Sequence, residues 1–237
     1  MITEARVLAA LATVHDPELD EPITSLGFVG SCVVSDGGDV AVHLRLPTPQ
    51  CAPNFAFLMA SDAREAVRRV SGVGEVGVVL DDHYTAAEIN AAVGSGGGFD
   101  AAFPGESSSG SGDLQALREL FQRKALLARQ GRVAKMLLAG GDLDHAAIVA
   151  LRVRDLPTED PEVARCLTLR RELGLPAEPQ APALVAGDGS PIRASDLPMW
   201  LRRARLVGLS LESNGGLCRS LLRVRHGVPD PTEEVAT

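Results

Sequence analysis

Residues 40–70 constrain the fold more than any other stretch of this 237-residue chain, because the hydrophobic period changes within them. Val40, Val42, Leu44 and Leu46 alternate with Ala41, His43 and Arg45, the period of a strand with one buried face. After the run Leu46-Pro47-Thr48-Pro49-Gln50-Cys51-Ala52-Pro53-Asn54, the apolar residues Phe55, Met59, Ala63, Ala66 and Val70 recur at spacings of three and four. That spacing predicts an amphipathic helix with Asn54 as its cap. Cys51 therefore sits at the turn from strand to helix, where a fold presents a thiol for use. The first turn of a helix exposes unpaired N–H groups and a positive dipole end, which favour the thiolate that binds metals and attacks electrophiles. The prolines at 47, 49 and 53 restrict the loop, so less entropy is lost when Cys51 is held in place.

Around this unit the pattern predicts helix, strand, strand, helix, strand and short helix. Val7, Leu8, Leu11 and Val14 mark the first helix, which Asp16-Pro17 ends. The strands are predicted at Phe28 to Val34, Val40 to Leu46 and Val76 to Leu80, the first two joined by the hairpin signal Asp36-Gly37-Gly38-Asp39. Thr85-Ala86-Ala87-Glu88 reads as a capping box for a last helix through about Val93. The fold class expected is α+β, a small α/β sandwich with a sheet of three strands or slightly more and flanking helices, followed by a mostly helical second domain.

Gly94-Ser95-Gly96-Gly97-Gly98 and Ser107-Ser108-Ser109-Gly110-Ser111-Gly112 have the composition of a flexible tether. The expected division is a first domain at 1–93, a linker at 94–112 and a helical domain at 113–237. No Gly-Lys-Ser/Thr follows these glycines, so they are not a phosphate-binding loop. In the second half, Asp144 and Asp160-Pro161 open helices and Gly187-Asp188-Gly189-Ser190 marks a turn between two short strands. Ser195-Asp196 and Asn214-Gly215-Gly216 precede two closing helices, the second carrying Cys218 at its N-terminus.

Composition narrows the function classes. Aromatic residues make up 3% of the chain, which leaves little surface for stacking on nucleic-acid bases. Residues 1–112 carry a net charge of −10 and residues 113–237 one of +2, so the front half is unsuited to nucleic acid or an anionic membrane. No apolar run of transmembrane length and no signal-peptide layout appears, so a cytoplasmic location is expected. The cysteines at 32, 51, 166 and 218 form no C-x-x-C pair and are expected as reduced thiols.

His15-Asp16-Pro17-Glu18, Ile23, Leu26-Gly27-Phe28-Val29 and Thr48-Pro49-Gln50-Cys51, taken in this order, resemble the SufT and PaaD family of small iron-sulfur or metal-cluster assembly domains. The resemblance covers about residues 1–93. It implies an Asp-Pro-Glu motif before a Leu-Gly-hydrophobic-Val strand and a Thr-x-x-Cys loop holding the functional cysteine. The family usually has proline directly after that cysteine, where this chain has Cys51-Ala52-Pro53. The resemblance further implies help in maturing a metalloenzyme client, in the PaaD branch a multicomponent oxygenase, with other cluster-assembly proteins as partners.

Cys51, Thr48, Asp16 and Glu18 are the candidate site residues, and the resemblance implies Cys51 as the metal ligand of a transient iron-sulfur cluster or iron. A cluster normally takes four thiolates or a mixture with imidazoles. Cys32 shares a strand face with Phe28 and Val34 and reads as core, so a dimer mate, a client, a small thiol or His and carboxylates must complete the set. Asp16 and Glu18 either order the turn at Pro17 or aim a carboxylate at Cys51, and Thr48 either bonds the sulfur or orders the loop. Cys166 reads as core. Cys218, His15, His43 and His83 read mainly as structural, with a ligand role open to each.

The leading function is a non-enzymatic cluster or metal-centre assembly factor in which the second domain recruits the client. A cysteine-nucleophile enzyme for acyl or thiol transfer is the first alternative, with Cys51 attacking and His15, His43 or His83 as base. The other is a two-domain adaptor without chemistry.

Overall fold

A computed structural model describes residues 2–105, 111–141 and 143–227. Ser107-Ser108-Ser109-Gly110 of the expected tether lies outside the described residues. The chain divides into two compact units, one of residues 1–117 with 213–237 and one of residues 118–212.

In the first unit, α1 (Glu4–Leu11) is capped by Thr3, whose side chain accepts from the Arg6 N–H. The hairpin β1 (Val29–Val34) and β2 (Val40–Arg45) is antiparallel, with a bulge between Val29 and Ser31. Helix α2 (Pro53–Arg68) then crosses to β3 (Val76–Asp81), which pairs with β2 in parallel and completes a sheet of order β1-β2-β3. Val40, Val42 and Leu44 face the core with Val78 and Leu80, while His43, Arg45 and Asp81 lie on the other face. The alternation in the sequence thus translates directly into an inner and an outer face.

Helix α2 differs from its sequence reading at both its cap and its face. It begins at Pro53 with Ala52 in the cap position, and Asn54 Oδ1 instead accepts from the adjacent Phe55 N–H. Proline at the first position needs no donor partner, so the helix starts one residue before the side chain that was to cap it. The buried face is Ala56, Met59, Ala60, Ala63 and Val67. Met59 and Ala63 belong to the predicted stripe, whose Phe55, Ala66 and Val70 are half-buried, and Phe57 and Leu58 are buried as well.

Helix α3 (Ala86–Ser95) ends at Gly96 with φ of 72°, and the Gly97 N–H bonds the Ala92 carbonyl at 2.8 Å, a closure that requires the left-handed conformation. The predicted capping box at Thr85 does not form, because the Thr85 hydroxyl is engaged by His83. Helix α4 (Phe99–Ala102) follows, and Phe99 meets Phe57 edge-on with ring centroids 5.5 Å apart.

Helix α5 (Ser111–Ala139) leads into the second unit, which continues with α6 (His145–Ala150), a 3-10 turn (Val153–Asp155) and α7 (Pro161–Glu172). Asp144 caps α6 and Asp160 caps α7, each accepting backbone N–H bonds as their positions before the helices predict. Cys166 is buried in the core of this unit. The two short strands expected around Gly187-Asp188 reduce to isolated bridges, Arg152 with Pro182 and Val185 with Pro191. The Arg170 guanidinium, almost fully buried, donates to the carbonyls of Pro182 and Ala183 and so ties this segment to α7.

The two closing helices are one, α8 (Leu197–His226). Asn214-Gly215-Gly216 lies inside it, and a Cβ on Gly215 would come within 2.6 Å of the Glu21 carboxylate. Glycine here permits close packing against the loop at Glu21 rather than marking a break.

Candidate functional site

The Leu46–Pro53 loop is held mainly through its carbonyls, since its prolines lack N–H donors. The Tyr84 N–H bonds the Pro49 carbonyl at 3.2 Å. The buried His83 places Nε2 2.7 Å from the Cys51 carbonyl oxygen, while its Nδ1 meets the Thr85 N–H at 3.3 Å and the Thr85 hydroxyl at 3.0 Å. A carbonyl can only accept and a backbone N–H can only donate. His83 is therefore the neutral imidazole with its proton on Nε2 and its Nδ1 lone pair occupied. It anchors the cysteine's backbone and has no nitrogen left for a metal or for the thiol.

Cys51 is half-buried, and its Sγ lies 3.6 Å from Thr48 Oγ1. That hydroxyl oxygen also accepts the Gln50 N–H at 3.2 Å, which leaves its own proton for the sulfur. Thr48 thus does both things considered for it, ordering the loop and contacting the thiol. Such a hydroxyl can hydrogen-bond a sulfur ligand.

Asp16 is buried, and its Oδ1 accepts the N–H groups of Glu18 and Leu19 at 2.8 and 2.9 Å. Burial nevertheless pushes its carboxyl up to about 6, against the pull of those two N–H groups and with a further push from Glu18 and Glu21. The turn-ordering role is therefore present in full. Glu18 is exposed.

The end of α8, which belongs to the same unit, supplies the neighbour that the sequence did not signal. Arg219 forms an ion pair with Glu21, Leu222 is fully buried in the core, and Arg225 and His226 both reach the Leu46 carbonyl at 3.3 Å. Cys218 packs against the core cluster that Cys51 also packs against. Its thiol is pushed up to about 11, first by burial and then by the charges of Asp16, Cys51 and Glu18, with Arg219 opposing. Cys218 is in the interior of α8 rather than at a helix N-terminus, so the expected activating dipole is absent.

The remaining candidates lie elsewhere. His15 contacts the Thr13 carbonyl at 3.0 Å. His43 pairs with Asp81 at 3.1 Å on the outer sheet face, in a cavity of about 340 Å³ that Arg45, Asp82 and His226 also line. Cys32 is buried, and desolvation raises its pKa further. Among the described residues, no group of three or more His, Cys, Asp or Glu side chains is arranged to hold a metal ion. No helix among them is long and apolar enough to cross a membrane.

Residues 4–78 match the family described as iron-sulfur cluster assembly protein. An uncharacterized protein of Methanocaldococcus jannaschii is 37% identical over 90 residues, which are 38% of this chain and 93% of that protein. The iron-sulfur cluster carrier protein of Mycobacterium leprae is 36% identical over 78 residues, 33% of this chain and 20% of that protein. The similarity to this second relative therefore spans about a fifth of its length.

Proposed function

Because the chain belongs, through residues 4–78, to the iron-sulfur cluster assembly protein family, we propose that Cys51 is the thiol through which it holds iron or an iron-sulfur cluster in transit to a metalloenzyme client. The observation that carries this reading is the half-buried Cys51, held by the His83 contact to its carbonyl and facing the Thr48 hydroxyl. A cluster is here a cargo. It normally needs four thiolates or a mixture with imidazoles, and the Cys51 loop supplies one sulfur. The rest of the coordination comes from outside the loop. An incomplete donor set of this kind suits a carrier that must release what it holds.

Under this reading Thr48 steadies the sulfur ligand, while Asp16 and Glu18 shape the neighbouring turn and keep negative charge beside the site. The helical residues 113–237 recruit the client, for which a multicomponent oxygenase is the class we propose, and other cluster-assembly proteins supply the cargo. The cysteine-nucleophile reading has less support: His83 has both nitrogens engaged, His43 lies with Asp81 on the outer sheet face and His15 contacts a backbone carbonyl.

The test is the iron and acid-labile sulfide content of the anaerobically reconstituted chain beside Cys51→Ala, with absorption spectra of both. Iron and sulfide in the wild type that are lost in the variant support the reading. Equal loading of the two, or a wild type that takes up neither, overturns it.

A further inference from the structure

We infer that Cys218 is the second thiol of the Cys51 site, so that one chain offers a thiolate pair to a soft, thiophilic metal centre. The inference deepens the proposed function and rests on it. It starts from where the end of α8 lies within the first unit. Gly215 is packed against Glu21, Arg219 pairs with Glu21, Leu222 is fully buried, and Arg225 and His226 reach the Leu46 carbonyl. One helix face therefore lies along the Asp16–Glu21 loop at one end and the start of the Cys51 loop at the other.

Cys218 sits on that face, one turn before Leu222, at a helical rise of about 1.5 Å per residue. It packs on the core cluster shared with Cys51, and its thiol lies within electrostatic reach of Cys51, Asp16 and Glu18. A half-buried cysteine on a docked helix has a sufficient reason to exist as packing alone. This one lies on the helix face held between Glu21 and the Leu46 carbonyl at the start of the Cys51 loop, and it packs on the core cluster that Cys51 also packs on. A pair of thiols favours thiophilic cations over hard ones. Binding a divalent cation forms two metal–sulfur bonds, and each protonated thiol gives its proton to solvent, with no change in oxidation state.

The experiment is an anaerobic titration of the full-length reduced chain with Cd²⁺, reading the ultraviolet thiolate-to-metal charge-transfer absorbance, beside Cys218→Ser, Cys51→Ser and the double variant. The wild type is expected to show the absorbance of two thiolates per cadmium. Each single variant is expected to show about half of it. Affinity should fall roughly tenfold or more, since even the loss of a partner behind a ligand costs 10–100-fold. The double variant should show neither signal. If serine loosens the helix end, judged by faster amide exchange around Leu222, Cys218→Ala gives the same readout with a side chain suited to the apolar packing. A Cys218 variant that matches the wild type in amplitude and affinity overturns the inference. It leaves the proposed function standing if Cys51→Ser abolishes the signal, whereas a Cys51→Ser variant that also matches the wild type counts against both.

Discussion

Replacing Asp16 with asparagine is expected to stabilise the first unit at neutral pH and to remove a loss of stability between about pH 4 and about pH 6. Burial raises the Asp16 carboxyl from 3.8 to about 6 despite its two backbone donors. Between those values the folded chain binds a proton that the unfolded chain does not. The stabilisation from this group is therefore fully present below pH 3.8 and is lost as pH rises through about 6. At 1.36 kcal/mol per unit, the span amounts to about 3 kcal/mol. Asparagine keeps the Oδ1 acceptor for the N–H groups of Glu18 and Leu19 and carries no charge to desolvate. Amide exchange at Ile23 and Phe28, corrected for the intrinsic effect of pH, reports the opening free energy of this region. Their N–H groups bond the carbonyls of Val14 and Ile23 at 2.9 Å. Wild type and variant should match near pH 4. At neutral pH and above, protection in the variant should be larger by about a hundredfold. Parallel curves would refute the reasoning, as would a wild type that gains on the variant with rising pH, since the carboxylate would then be stabilised by its donors rather than penalised by burial.

His83→Ala leaves the Cys51 carbonyl without its imidazole donor, so the first unit should lose about 1–3 kcal/mol and Cys51 should be alkylated faster by iodoacetamide, read by mass spectrometry. Leu222→Ala should cost about 2–5 kcal/mol and increase maleimide labelling of Cys218 one turn away, with little change at Cys32.

The sheet was legible because its pattern is local. Val40, Val42 and Leu44 alternate with polar or small residues, and the inner and outer faces of β2 follow from that alternation alone. The loop cysteine and its threonine were legible for the same reason, since Thr48 and Cys51 are three residues apart and their contact is made within one turn of chain. Three things were not. The phase of α2 depends on which residues meet the sheet, and Pro53 rather than Asn54 sets its start. The unbroken α8 hides behind Asn214-Gly215-Gly216, which reads as a stop until Glu21 is seen against Gly215. The role of His83 in fixing the Cys51 backbone joins residues 32 apart in sequence, and the neighbourhood of Cys218 and Asp16 joins residues 202 apart. No periodicity or motif encodes contacts of that range.

The groups that act on the Cys51 loop come from inside and outside the family region, and this bears on how a cargo would leave. Thr48 lies within residues 4–78, whereas His83, Tyr84, Cys218, Arg225 and His226 lie beyond them. Most of the outer set satisfies loop carbonyls: Arg225 and His226 at Leu46, the Tyr84 N–H at Pro49, and His83 at Cys51. With three carbonyls engaged and prolines at 47, 49 and 53, swinging the loop open would break several bonds at once, each worth about 1 kcal/mol. Exchange of ligands at a stationary thiol breaks only the metal–sulfur bond being replaced. Under the proposed function, the arrangement would favour release by incoming thiols over release by loop opening, and the accessibility of Cys51, rather than the mobility of its loop, would be the property that a client uses.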